Sequence, residues 1–301
     1  MRFSVWPSLN QPWSDVLEVA RHVDGTGWDG IYLADHFMGD ASGPFPEEIP
    51  TFEATAALAA LAAATTSVRL SPLVLGITYR HPAVLAKWAA TVDHISGGRL
   101  LLGVGAGWQE NEHEKYGIPL GQPGERVARF EEALHVLRGL LSEPRTTVEG
   151  QHYDVRDALA EPKPVQARLP LLIGAKGDRM LGVVARHADE WNMWSSPEQF
   201  AERSAFLDAR CESIGRDPGA IARSTQALFF VTDDEAKGAD LVQRVSPRPA
   251  VAGSPARIAD AAAAYRDAGV DELIVPDFTL GTGDRRRDTL DALAEAFQGL
   301  R

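Results

Sequence analysis

Short apolar runs alternate along the whole chain with longer segments whose apolar residues recur every third or fourth position. Arg2 to Pro7, Gly30 to Ala34, Leu70 to Ile77, Leu100 to Val104, Leu171 to Gly174, Glu190 to Trp194, Ala227 to Thr232 and Glu272 to Val275 read as strands. Their continuous apolar character suits parallel strands buried on both faces. Helical segments lie between them. One starts at Ser14 and ends at Gly25 and Gly27; another opens at Pro50 or Thr51 and ends at Thr65-Thr66. Ala83 to Ile95 is stopped by Gly97-Gly98, and Gly124 to Leu141 is long and amphipathic. Asp178 to His187, Pro197 to Ile214, Ser254 to Ala268 and Arg286 to Phe297 complete the set.

Eight strands alternating with helices predict an α/β fold of the (β/α)8 TIM-barrel type, with insertions in its loops. No linker marks a boundary, so residues 1–301 read as one domain. Thr146 to Val155 reads as a small hairpin insert near 145–156, turning at Glu149-Gly150. A loop rich in Gly and Pro (Gly39, Gly43, Pro44, Pro46, Pro50) follows the second strand. The stretch 233–253 is charged, carries Pro247 and Pro249, and reads as a mobile loop.

Composition narrows the function classes. The net charge of −12 lacks the basic footprint of a nucleic-acid binder. Cys211 is the single cysteine, so no intramolecular disulfide can form, which fits a reducing cytoplasm. The first residues, MRFSVWPSLNQPW, lack a signal-peptide pattern, and no apolar run is long enough for a bilayer. No membrane or nucleic-acid partner is expected.

In such a barrel, ligands meet the strand C-termini and the loops after them. His36, at the end of the second strand, can carry a proton near neutral pH or simply cap a loop. Asp35 points the other way and suits loop backbone. Gly174-Ala175-Lys176-Gly177, ahead of a helix, offers free N–H groups and a cation for a phosphate, or serves the turn alone. Gly103, Gly105 and Gly107 leave room either for a flat ring or for tight barrel packing. Asn111 can bond a ligand edge or close an Asx turn. Trp6, Trp108 and Trp194 fall at strand ends, where they can wall an apolar pocket. Trp13, Trp28, Trp88 and Trp191 read as packing. The histidines are scattered, and Glu110, Glu112, His113 and Glu114 look like a solvated helix start. No spacing matches a metal site, and no G-x-S-x-G nucleophile elbow occurs.

The segments LADHF (Leu33 to Phe37), ITYRHPAVLAKWAATVDHISGGRLLLGVGAGW (Ile77 to Trp108), GAKGDRMLGVVARHADEWN (Gly174 to Asn192) and AGVDELIV (Ala268 to Val275) together resemble the luciferase-like monooxygenase superfamily. Within it they are similar to the branch that uses the deazaflavin coenzyme F420. The resemblance implies that Asp35 and His36 lie against the deazaflavin, with His36 catalytic. It implies a strand-three bulge under the ring, often with a non-proline cis peptide. That bond is expected near Pro72-Leu73, with Val74 and Leu75 beside the ring. Gly107 and Asn111 are implied on the coenzyme, and Gly174, Ala175, Lys176 and Gly177 on its phosphate. Trp6, Phe37, Trp108 and Trp194 are expected to line the substrate pocket.

Sugar-phosphate dehydrogenases of the branch carry a Glu where this chain has Trp108. The resemblance therefore implies hydride transfer between F420 and a small, apolar organic substrate. An FMN-dependent monooxygenase using O2, or a coenzyme-binding protein without turnover, are the alternatives. Members often dimerise, so a homodimer is expected.

Overall fold

The computed structural model describes residues 1–40 and 46–301; Gly43 and Pro44 of the expected Gly/Pro-rich loop lie outside the described residues. The strands are β1 (Arg2–Trp6), β2 (Gly30–Leu33), β3 (Arg69–Pro72), β4 (Leu75–Gly76), β5 (Leu102–Gly105), β6 (Thr146–Glu149), β7 (Asp154–Ala158), β8 (Leu171–Gly174), β9 (Glu190–Trp194), β10 (Ala222–Gln226), β11 (Leu228–Val231), β12 (Ala250–Gly253) and β13 (Glu272–Pro276). The helices are α1 (Trp13–Gly25), α2 (Ala54–Ala64), α3 (Pro82–Ser96), α4 (Glu110–Tyr116), α5 (Pro123–Ser142), α6 (Asp178–His187), α7 (Pro197–Ser213), α8 (Glu235–Val245), α9 (Pro255–Asp267) and α10 (Gly283–Ala296).

The main sheet runs β3-β2-β1-β13-β10-β9-β8-β5-β4, all parallel. β3 and β4 are two halves of one strand broken at Leu73-Val74. The Leu70–Leu100 bridge and the β4–β5 pairing close the ring. The result is the (β/α)8 barrel that the alternation predicts.

The break has a clear packing context. The bond between Leu73 and Val74 is cis, one residue beyond the expected Pro72-Leu73. The displaced backbone needs room, and the neighbouring glycines supply it. A Cβ on Gly103 would stand 2.0 Å from the Pro72 carbonyl oxygen. One on Gly105 would stand 2.7 Å, and one on Gly174 3.0 Å, from a Val74 methyl. The space left by Gly103 and Gly105 is thus filled by the strand-three backbone and Val74.

The interior is layered along the barrel axis. Glu272 is fully buried at the N-terminal ends of the strands. It accepts hydrogen bonds from Ser4 Oγ (2.5 Å), Tyr32 Oη (2.9 Å), Arg2 Nε (2.9 Å) and Arg69 Nη1 (3.1 Å). Arg69 also donates to Glu190 at 2.5 Å. Above this ionic plug sits an apolar layer of Tyr32, Leu101, Leu172 and Ile274. Trp6, Leu73 and Val74 rest on that layer and begin the C-terminal face.

Four expectations change. The seventh barrel strand is β10, not Ala227 to Thr232. Its sequence, ARSTQ, is polar because Ser224, Thr225 and Gln226 are buried in the protein through hydrogen bonds or in the cavity wall. The apolar run after it forms β11, which leaves the barrel and pairs with β12. Helix α8 connects these two strands, so 233–253 holds the helix and second strand of a small βαβ module rather than a loop. The β6–β7 hairpin stands where the insert was expected. Ser14 lies inside α1, and Glu53, rather than Pro50 or Thr51, caps α2 through the Ala56 N–H.

Candidate functional site

A cavity of about 580 Å3 opens at the C-terminal face, within the range of small-molecule sites. Trp6, His36, Leu73, Trp108, Lys176 and Trp194 line it, each at or just after a strand end. A larger hollow, about 810 Å3, lies beside α8 and β12. It gathers none of the strand-end groups, so chemistry rather than size selects the first cavity.

His36 is held from one side. Its Nδ1 donates to Glu112 Oε1 at 2.9 Å, and Glu112 Oε2 accepts the Phe37 backbone N–H at 2.8 Å. Tyr79 Oη also donates to Glu112. The indole of Trp108 meets the imidazole edge-on, with centroids 5.4 Å apart. Nε2 has no hydrogen-bond partner among the described residues. With the proton on Nδ1, Nε2 carries the lone pair. Burial pushes the Glu112 carboxyl up. The hydrogen bonds and charge of His36, with those of Tyr79 and Phe37, outweigh burial and hold it below the usual carboxylate range. Burial and the Glu112 contact push the Tyr79 hydroxyl up, so it stays a donor.

Glu112 and His113 were expected in a solvated helix start, yet both are buried. His113 bonds the Gln109 carbonyl (2.6 Å) and Thr78 Oγ1 (2.7 Å). The available signal was position: α4 directly follows a barrel strand, at the end where ligands bind.

The other expected residues divide. Asp35 is buried away from the cavity. It takes a two-pronged contact from Arg80 (2.7 and 2.9 Å) and the Gly76 N–H (2.9 Å). It anchors β4 behind the bulge. Phe37 packs between Tyr79 and Tyr116 and does not line the cavity. Asn111 Nδ2 donates to the Gly39 carbonyl (3.0 Å) and Glu47 (2.9 Å), tying the loop after β2 to α4. Its Oδ1 is buried without a partner. Pro72 and Val74 lie in the bulge. Gly107 has φ +81°, and a Cβ there would meet Thr78 Oγ1 at 2.7 Å.

On the β8 turn, both backbone groups of Ala175 are engaged, by the Asn192 carbonyl and by Trp191 Nε1. Gly177 caps α6 with no side-chain hydrogen bond, and a Cβ on it would meet nothing within 4 Å. The N–H groups of the first helical turn thus take no side-chain cap, and Lys176 before them is exposed. Among the described residues no cluster of His, Cys, Asp and Glu could hold a metal ion, and no helix is long and apolar enough to cross a membrane.

Residues 1–247 match the family model described as luciferase-like monooxygenase. The chain belongs to this family. An uncharacterized protein of Mycobacterium tuberculosis is 34% identical over 261 residues, covering 82% of this chain and 89% of its own length. The F420-dependent glucose-6-phosphate dehydrogenase of Kineococcus radiotolerans is 27% identical over 295 residues, covering 85% of each. Among solved structures, an F420-dependent secondary alcohol dehydrogenase in complex with an F420-acetone adduct superposes with a TM-score of 0.85 at 18% identity, covering both chains fully. That last likeness concerns the fold. In this luciferase-like chain the strand ends carry His36, the broken third strand and the β8 glycine turn.

Proposed function

We propose that the protein is an F420-dependent oxidoreductase that moves hydride between the deazaflavin and a small organic substrate in an aromatic pocket. The observation that carries this reading is His36. It is oriented through Nδ1 by buried Glu112, with Nε2 unpartnered, in the wall of the cavity that also meets Leu73 of the bulge. The F420-dependent relatives support the coenzyme class.

The residues fit such a coenzyme. The uncapped start of α6 with Lys176 can hold a phosphate, and the bulge from Pro72 to Val74 offers an apolar bed for a flat ring. When bound, the deazaflavin supplies a carbon that gives or takes hydride. The protein supplies the proton path. Nε2 of His36 takes a proton as a carbinol is oxidised, or returns it as an unsaturated group is reduced. Glu112 stabilises the imidazolium in either direction. Trp108 brings an indole to the wall where the resemblance places the proton-donating Glu of sugar-phosphate dehydrogenases.

The family's monooxygenase members suggest a second reading, an FMN enzyme using O2. Fluorescence titration separates the two. F420 is expected to bind at least tenfold more tightly than FMN, a difference of about 1.4 kcal/mol. The reverse order would overturn the reading.

Glu112→Gln tests the proton path. The amide can still accept from Nδ1 but carries no charge. Turnover is expected to fall roughly 10- to 100-fold with coenzyme affinity unchanged. The pH–rate profile should differ from that of the parent, because the carboxylate charge beside the imidazole is gone. An unmoved profile would reduce Glu112 to a packing role.

A further inference from the structure

Two residues of the cavity wall opposite the bulge each carry a buried polar atom that no described residue satisfies. Gln226 ends β10 and Trp194 ends β9, and the two are paired in register. Both line the cavity. Gln226 Oε1 and Trp194 Nε1 are each buried without a hydrogen-bond partner, and they do not bond one another. In the ring of eight strand positions, β10 lies four places from the broken third strand, directly across the barrel. Around the pair the wall is aromatic. Trp6 stands edge-on to Trp194 and to Phe278, each at 5.8 Å.

Buried donors and acceptors are paired in the great majority of cases, and an unpaired one costs about 1–3 kcal/mol. Here an orphan acceptor and an orphan donor share one wall, opposite the proposed coenzyme bed. We propose that Gln226 and Trp194 form a polar recognition subsite for a neutral substrate group that is at once donor and acceptor. An alcohol hydroxyl or a primary carboxamide has this chemistry. Once the two side chains turn these shielded atoms toward the cavity, its oxygen accepts from Trp194 Nε1, and its O–H or N–H donates to Gln226 Oε1. A carboxylate would set negative charge against the Gln226 oxygen. A simple ketone would leave that oxygen unpaired. The inference rests on reading the cavity as a substrate site. It names the substrate as aromatic or aliphatic with one neutral protic group, rather than wholly apolar.

Ligand-observed NMR titrations of the purified protein, with and without F420, test this with four probes: benzyl alcohol, benzamide, toluene and benzoate. Benzyl alcohol or benzamide is expected to bind about tenfold more tightly than toluene, the worth of about 1.4 kcal/mol. The stronger of the two tells hydroxyl from amide. In Gln226→Leu and in Trp194→Phe this advantage is expected to shrink to about twofold or less while toluene affinity holds. Gln226→Leu also removes a buried orphan, so its melting temperature is expected to equal or exceed that of the parent. Equal binding of toluene and benzyl alcohol, an advantage that survives both substitutions, or a preference for benzoate would each overturn the subsite. So would a clear fall in the melting temperature of Gln226→Leu, which would mark a structural amide. Failure of F420 to bind sinks the coenzyme reading alone, because the probe order is also read without coenzyme.

Discussion

His36→Ala is expected to lower turnover by about 10²- to 10⁴-fold, the usual worth of a positioned acid–base group, while F420 still binds. Among the described residues His36 is the one imidazole in the cavity wall, and its Nδ1 is turned to a fixed carboxylate. Removing it leaves Tyr79 and the Phe37 N–H on Glu112 but no imidazole in the described cavity wall. Single-turnover absorbance of the deazaflavin reads the chemical step apart from binding. A variant that keeps the parent rate would remove His36 from the mechanism, and a parent with no His36-dependent rate on any substrate would favour a coenzyme carrier. A second readout follows from linkage. The Glu112 carboxyl is held below its unfolded value, so its stabilisation is present above about pH 4.5 and fades as pH falls through the folded value. Without His36 that folded value rises, and acid unfolding should begin at a higher pH than in the parent.

The largest stability effect is expected at the opposite end of the barrel. Arg69→Met leaves buried Glu190 and Glu272 sharing Arg2 alone. Breaking a buried ion cluster by removing one partner costs about 3–5 kcal/mol. For a chain of this size the melting temperature should fall by on the order of 10 °C. Burial already pushes the Glu190 carboxyl up, and the Arg69 charge opposes that push. In the variant the Glu190 carboxyl rises further, so it favours the folded state below its unfolded value and ceases to as pH rises through the folded one. The deficit should therefore be smaller at pH 5 than at pH 8, and Arg69→Lys should recover part of it. Equal deficits at both pH values would show that lost packing, not charge, sets the cost.

Much of this was legible along the chain. The alternation of apolar runs and helical periods was sufficient for the barrel, because parallel strands buried on both faces leave few polar positions. β10 escaped for the same reason inverted. Ser224 and Gln226 turn polar groups into the barrel and Thr225 turns one to its buried outer face, where an apolar rule expects none. His36 was found by its place at a strand end. Glu112 was not, because α4 is seven residues long and reads as charged throughout, and its contact with His36 spans 76 residues of sequence. The bulge glycines showed that something needs room beside β5. Only the packing shows that Pro72 and Val74 take it.

The βαβ module of β11, α8 and β12 hydrogen-bonds within its own two-stranded sheet, yet Pro247, Arg248 and Pro249 reach the cavity from it. One wall of the pocket is therefore built outside the hydrogen-bond ring that defines the barrel. Residues there can lengthen, shorten or change charge without altering the pairing of any barrel strand. Stability and selectivity are thereby held by separate hydrogen-bond systems. The chain can explore new substrates at one while the other keeps His36, Glu112 and the bulge in register.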